Sequence, residues 1–272
     1  MTQFNETELT AAVIRSFDQT PDPRAKFLLQ ELVTSLHDYV RKTNLTFEEW
    51  DHAIGFLTRT GQKCTDIRQE FILLSDVLGV SMLVDAVNHR DRDGATETTV
   101  LGPFYVGEHK VTPHGTDISA SLPGERMFVQ SRVTDLKGRP LANVPVDVWH
   151  ADDDGFYDSQ KPSFATEGAS SRARFITDAD GRFFFRTIVP CSYPIPTDGP
   201  VGQMITQTNR HPMRPAHVHF LVNAKGYEPL ITHVFVEGDE YIDSDVVFGV
   251  KDELIAKVER RTDPVMPDGQ RS

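Results

Sequence analysis

His217-Val-His219 is the strongest chemical signal in the chain. Two residues apart on an extended strand, side chains fall on one face, so both imidazoles can reach a single ion. Neutral imidazole is the commonest metal ligand among side chains. A lone H-x-H pair is more often two satisfied histidines on a half-exposed strand, so further ligands are needed. Two completions present themselves. His150-Ala-Asp152 has the H-x-D spacing of a two-histidine, one-carboxylate ferrous site. Tyr157, behind the acidic turn Asp152-Asp-Asp-Gly-Phe156, and Tyr193, in the proline-rich stretch Val189-Pro-Cys-Ser-Tyr-Pro-Ile-Pro196, offer phenolates instead. Phenolate is a hard anionic oxygen donor that favours Fe(III). Two phenolates and two imidazoles would leave a ferric ion a position for solvent. Cys64 and Cys191 are too few for a thiolate site or a disulfide framework. Local spacing leaves the choice between the two completions open.

The elements that must position these residues change character near residue 90. Before it, apolar residues recur at helical spacing, as in Leu28, Leu32, Leu36 and Tyr39, and again in Ile67, Phe71, Leu74 and Leu78. Thr46-Phe-Glu-Glu49 reads as a capping box that opens a helix. Roughly five helices are expected in residues 5–88. These apolar faces suit a groove, but ordinary core packing explains them equally well. His89-Arg-Asp-Arg-Asp-Gly94 is a polar break. Beyond it, strands are expected at Met127–Val133, Val144–Trp149, from Arg174, at Arg182–Val189, Ala216–Val222 and Leu230–Val236, with turns at Asp135–Pro140 and Asp178–Gly181. Short strands between turns suggest an antiparallel sandwich rather than a parallel sheet. Residues 249–260 are expected to form a last short helix.

Composition sets the outer limits. A chain of 272 residues makes one or two domains at about 150 residues each and can bury a core without staples. Lys and Arg number 28 against 40 Asp and Glu, a formal net charge of −12. That leaves no basic footprint for nucleic acid and no attraction to an anionic membrane surface. With 39% hydrophobic and 25% charged residues, the chain falls with ordinary folded proteins. The stretch MTQFNETELTAAVIRSF lacks a basic start before an apolar core, and the apolar run from Val77 to Val84 is far below a membrane span. A cytoplasmic protein, not embedded in a membrane, is therefore expected.

Several motifs occur together and in order: Leu101-Gly-Pro-Phe-Tyr105, Asp147-Val-Trp-His-Ala-Asp152, Gly155-Phe-Tyr157, Ile188-Val-Pro190 before Tyr193, and Arg214-Pro-Ala-His-Val-His-Phe220. Over nearly the whole chain this pattern resembles the intradiol ring-cleavage dioxygenases, which act on catechols with O2. The resemblance implies one Fe(III) per subunit, held by Tyr157, Tyr193, His217 and His219. It makes Tyr193 the ligand that leaves the iron to take a substrate proton, and Arg214 the catalytic cation. It implies a mixed α+β fold: a helical N-terminal region, residues 1–95, that makes a homodimer and encloses a phospholipid in several members, then a catalytic antiparallel β-sandwich, residues 96–272. On this reading His150 and Asp152 mark a strand end, and Asp152, Asp153 and Asp154 form a solvated turn.

Within the family, catechol enzymes typically carry glutamine where this chain has His233, which is expected to support Arg214 or an iron ligand. The run from Thr232 to Lys251 is similar to the members that cleave hydroxyquinol, benzene-1,2,4-triol, to 3-hydroxy-cis,cis-muconate (maleylacetate). Cleavage of catechol or chlorocatechol is the alternative. The resemblance places the substrate ring among Leu73 and Asp76 on a helix, the segment Val100, Leu101, Gly102, Pro103 and Phe104, then Ile195 and Pro196, and finally Arg214 and Val247. Asp76 lies in an apolar run, so if buried it needs a partner. The third hydroxyl of the triol, at carbon 4, would be one.

Overall fold

The computed structural model describes residues 5–66, 68–90, 94–107, 110–164, 168–262, 265 and 269. Ile67, part of one helical repeat, and residues 91–93 of the polar break lie outside them, as do residues 1–4. The chain divides into two compact units, Met1–Arg59 and Thr60–Ser272.

The first unit is helical. Helix α1 (Glu6–Ser16) opens on a capping box in which Asn5 accepts from the Glu8 amide and the Glu8 carboxylate accepts from the Asn5 amide. Helix α2 (Pro23–Thr43) starts with Asp22 as N-cap and Pro23 in the first turn, and ends on Asn44 in the left-handed conformation. The Thr10 hydroxyl bridges α1 to His37 and Arg41 of α2, at 2.8 Å to each. Helix α3 (Phe47–Lys63) begins at the expected box: the Glu49 amide donates to Thr46 Oγ1 at 3.2 Å, and the Thr46 amide to Glu49 Oε2 at 2.9 Å. Core packing does not account for the apolar stripe of α2, because Leu28, Leu32, Leu36 and Tyr39 are all exposed.

The second unit takes in the last residues of α3 and continues with α4 (Glu70–Val77) and α5 (Val80–Asn88), so the five expected helices are present. The compact unit therefore starts about thirty residues before the change in composition, because these two helices belong with the strands. Nine strands follow among the described residues. Strand β1 (Arg126–Arg132) pairs antiparallel with β4 (Arg182–Ile188) as a two-stranded sheet. A five-stranded sheet runs β3 (Arg172–Ile176), β2 (Pro145–His150), β7 (His217–Val222), β8 (Leu230–Val236) and β9 (Ile255–Ala256). Strands β5 (Tyr193–Pro194) and β6 (Met213–Arg214) form a third, minimal sheet, and α6 (Pro200–Gln207) lies between them in sequence. Alternate residues of β4, Phe183 and Phe185, pack with Val146, Val148, Ala173, Phe175, Val218 and Phe220 of the larger sheet, so a core joins the two sheets.

Two expectations fail here. Residues 249–260 are not a helix: one turn of 3-10 helix (Asp252–Leu254) leads into β9. And the pairing is not wholly antiparallel, because β9 runs parallel to β8 at the sheet edge. The apolar side of Leu254 and Ile255 is used on the sheet, and that tertiary partner outweighs weak local helix propensity.

Candidate metal centre

Strand β7 lies in the middle of the five-stranded sheet, with β2 on one side and β8 on the other. Its register sets His219 opposite Trp149 on β2 and His233 on β8. His217 and His219, two apart, project together and their Nε2 atoms approach to 3.1 Å. The two tyrosines arrive from loops. Tyr157 follows a turn in which the Asp152 carboxylate accepts from the Asp154 amide at 3.0 Å and the Phe156 amide at 2.9 Å. Tyr193 is held by β5, whose two residues pair with β6 and set Tyr193 opposite Arg214. Tyr157 Oη then lies 2.8 Å from His219 Nε2, 3.1 Å from Tyr193 Oη and 3.3 Å from His217 Nε2. All four residues are buried.

These separations suit a shared cation. Bonds of about 2.0–2.2 Å from a first-row metal to nitrogen and oxygen place neighbouring ligands about 3 Å apart. His217 Nδ1 lies 2.7 Å from the Pro215 carbonyl, which fixes the proton there and leaves the Nε2 lone pair facing the centre. Burial, then the Arg214 charge, pushes the His217 pKa down to about 3; burial and the neighbouring imidazoles take His219 well below the usual range. Both imidazoles are therefore neutral at pH 7, the form that can ligate a metal. Burial pushes the Tyr157 and Tyr193 phenols up, Tyr157 strongly, while Arg214 pulls each back. Buried phenols so close together need a cation to ionise, and a metal ion is the largest local charge available to do it.

His233 joins the same cluster. The ligating atoms of His217, His219 and His233 lie within 4.8 Å of one another, a group able to hold a metal ion. The His233 ring stacks on His217, centroids 4.8 Å apart, and meets His219 edge-on at 4.1 Å. It packs directly on the two strand histidines. On the other side, Trp149 stacks on His219 at 4.6 Å and 13°. The two rings thus brace His219 across the sheet.

The other completion is not assembled. His150 Nδ1 lies 2.7 Å from the Ala151 carbonyl and Nε2 lies 2.5 Å from Thr187 Oγ1, so both nitrogens are engaged away from the histidine pair. Nor is the acidic turn solvated throughout. Asp153 and Asp154 are exposed, but Asp152 is buried and ion-paired with Lys161 while it holds the turn amides. A carboxylate with that many donors is stable inside.

The expected pocket residues fall into two groups. Leu73, Ile195 and Val247 share one apolar cluster with Val77, Val201, Ile205 and Val246. Leu101 and Phe104 pack on the cluster of Trp149, Ala151, Tyr157 and Tyr193, with Phe104 stacked on Tyr157 at 4.5 Å. Gly102 has φ +78, and a Cβ there would sit 3.4 Å from His219 Cε1. Val100 and Pro196 are half-buried, whereas Pro103 is exposed. Asp76 is buried on α4; burial pushes its carboxyl pKa up, against a hydrogen bond from Ser81 and the charge of Arg214.

Arg214 is buried too, and is no surface ion pair. Burial disfavours its charge, but Asp245 and the two tyrosines outweigh that and hold it protonated. Nη1 points at His217 Nε2, 3.4 Å away. Two supports were not apparent in the sequence, Asp245 and the buried pair Arg172–Asp158 behind Tyr157, whereas Gly155 (φ +83) stands in the acidic turn already expected. Only Gly155, sitting between three acidic residues and Phe156, carried a local turn signal.

Comparison with known proteins settles the family. The Dioxygenase family model matches residues 100–270, and the model described as Catechol dioxygenase N terminus matches residues 22–96. The chain belongs to the intradiol ring-cleavage dioxygenase family. Among relatives, the 6-chlorohydroxyquinol 1,2-dioxygenase of Cupriavidus pinatubonensis is 50% identical over 263 residues, 97% of this chain and 95% of the relative. The hydroxyquinol 1,2-dioxygenase of Nocardioides simplex is 48% identical, covering 95% of this chain and 87% of the relative. The solved structure of hydroxyquinol 1,2-dioxygenase from Pseudomonas putida superposes with a TM-score of 0.89 at 47% identity, over 97% of this chain and 91% of that one. No helix among the described residues is long and apolar enough to cross a membrane.

Proposed function

We propose that this intradiol dioxygenase cleaves hydroxyquinol with O2 between its two adjacent hydroxyl-bearing carbons, yielding 3-hydroxy-cis,cis-muconate (maleylacetate). The observation that carries the reading is the convergence of Tyr157 Oη, Tyr193 Oη, His217 Nε2 and His219 Nε2 in one buried centre. These four residues would hold one Fe(III) per subunit. When bound, the ferric ion acidifies the hydroxyls of a chelating diol and draws electron density from the ring, which opens it to O2. The chain's own residues do the rest. His217 and His219 stay neutral and fixed. Tyr157 is the permanent anchor, boxed in by the Phe104 ring. Tyr193, on a two-residue strand, is the freer of the two and, as the phenolate, would take a diol proton at Oη to become the neutral phenol. Arg214, charged and dry, stabilises negative charge that develops on the ring beside it. His233 and Trp149 keep the strand imidazoles from turning.

Asp76 supplies selectivity. It stands buried on α4 within electrostatic reach of Arg214 and Asp245, and it accepts the third hydroxyl of the triol, which catechol lacks. The β1–β4 sheet and the larger sheet form the two layers of a catalytic sandwich spanning residues 96–272. Residues 1–95, whose α2 stripe is exposed, form the homodimer contact and a cleft for a phospholipid chain. Two free cysteines suit a cytoplasmic setting. Iron analysis with a visible spectrum tests the centre: a red-brown protein with a tyrosinate-to-Fe(III) band is expected. An iron-loaded protein without that band would refute the ligand set. Oxygen uptake faster with catechol than with hydroxyquinol would refute the substrate.

A further inference from the structure

Asp245 is buried beneath the proposed site and makes two kinds of bond at once. Its carboxylate takes the Arg214 guanidinium side-on, with Nε to Oδ1 at 3.1 Å and Nη2 to Oδ2 at 3.2 Å. It also accepts two backbone amides, Val247 at 3.3 Å and Gly249 at 3.0 Å. With Nε and Nη2 occupied, Nη1 is the guanidinium nitrogen left to face His217 Nε2 at 3.4 Å. The backbone must fold back sharply to reach the carboxylate: Phe248 sits at φ +59, a region that non-glycine residues avoid. Gly249 completes the fit, since a Cβ there would stand 3.1 Å from both Arg214 Nη2 and Asp245 Oδ2. A strained residue and an obligatory gap beside one ion pair mark a geometry that the surrounding structure enforces.

We propose that Asp245 is the positioning residue for Arg214: it aims the guanidinium at the metal centre. The proposal rests on the catalytic reading of Arg214 given above. A flexible arginine without that fork would sample several directions and meet developing charge less often. A planar fork held by a carboxylate loses little freedom on binding.

The test is a double-mutant cycle in iron-loaded protein, read by oxygen uptake on hydroxyquinol, iron content and the visible band. Asp245→Asn should lower kcat by about 10- to 100-fold, with iron and band retained. Arg214→Ala should lower it by about 100-fold or more. The double variant Arg214→Ala/Asp245→Asn should be no slower than Arg214→Ala alone, because Asp245 acts only through Arg214. Losses that multiply in the double variant would overturn the proposal, as would full activity of Asp245→Asn or loss of its iron. If Asp245→Asn alone does not fold, the comparison of Arg214→Ala with the double variant carries the test. Wild-type turnover by Arg214→Ala would instead refute the catalytic reading of Arg214 itself.

Discussion

Replacing Gly155 by alanine should separate the two tyrosines without substituting either. Gly155 stands at φ +83, and a Cβ built there lies 2.7 Å from Tyr193 Cβ and 3.5 Å from its Cα. Carbon atoms rest about 3.5–4.0 Å apart, so turn and strand must part by about 1 Å. The neighbour is the root of Tyr193, not a flexible end, so rotation of a side chain cannot absorb the clash. Tyr157 is two residues from Gly155, and its Oη is 3.1 Å from Tyr193 Oη. A parting of that size opens the phenol pair well beyond the roughly 0.5 Å that a ligand set tolerates. On this ground kcat on hydroxyquinol should fall by about 100-fold, and the tyrosinate band should weaken or shift. Left-handed backbone adds a cost of about 1–2 kcal/mol to folding. Gly226→Ala is the control: its φ is +86, yet nothing lies within 4 Å of the added carbon, so it carries the backbone cost alone. Visible spectra and oxygen uptake compare the two variants directly. If Gly155→Ala matches Gly226→Ala in both, the close approach does not position the tyrosines and the reasoning fails.

Asp76→Ala should slow hydroxyquinol turnover by about 10- to 100-fold while catechol turnover changes little; equal losses on both substrates would rule out recognition of the third hydroxyl. Arg172→Met should destabilise the chain by about 3–5 kcal/mol in urea, because it strands Asp158 as a buried charge, and Asp158→Asn on that background should recover part of the loss. Burial takes the His150 pKa down to about 4, below its unfolded value, so the unfolded chain binds the extra proton first. Stability is therefore full above pH 6.5 and should fall by roughly 3 kcal/mol as pH drops to 4, a slope that His150→Gln should flatten in denaturant titrations at several pH values.

What the sequence reveals of this site depends on how local the physics is. Strand β7 is legible because apolar residues frame His217 and His219 at period two, and the same period marks β2 and β8. The capping box at Thr46 is legible because both partners lie within four residues. Tyr193 is harder: prolines on either side argue against a strand, and only pairing with Met213 and Arg214, about twenty residues later, gives it one. Asp152 looks like one of three solvated carboxylates until Lys161 comes back to it from the 3-10 turn (Asp158–Gln160) after Tyr157. Asp245 is hidden in the same way, in an acidic run from Glu237 where no local feature distinguishes the one buried carboxylate.

Those long-range partners share a pattern. Asp152 with Lys161 holds the turn before Tyr157; Asp158 with Arg172 holds the residue after it. Arg172 Nη1 also donates to the Phe104 carbonyl at 3.1 Å, which fixes the ring that stacks on Tyr157. Asp147, in mid-strand, takes Arg174 at 2.6 and 2.7 Å and accepts from the Tyr105 phenol at 2.8 Å; burial first, then Asp147, pushes that phenol up to about 12. Asp245 with Arg214 completes the set. Buried ion pairs are poor sources of stability compared with apolar residues of equal volume. What they supply is direction: each acidic oxygen fixes one backbone segment or one guanidinium, and each is neutralised where it stands. These pairs add nothing to the net charge of −12. Around the centre stand locally balanced pairs, which let two imidazoles and two phenols converge without a net field that would repel a cation or turn a phenol away.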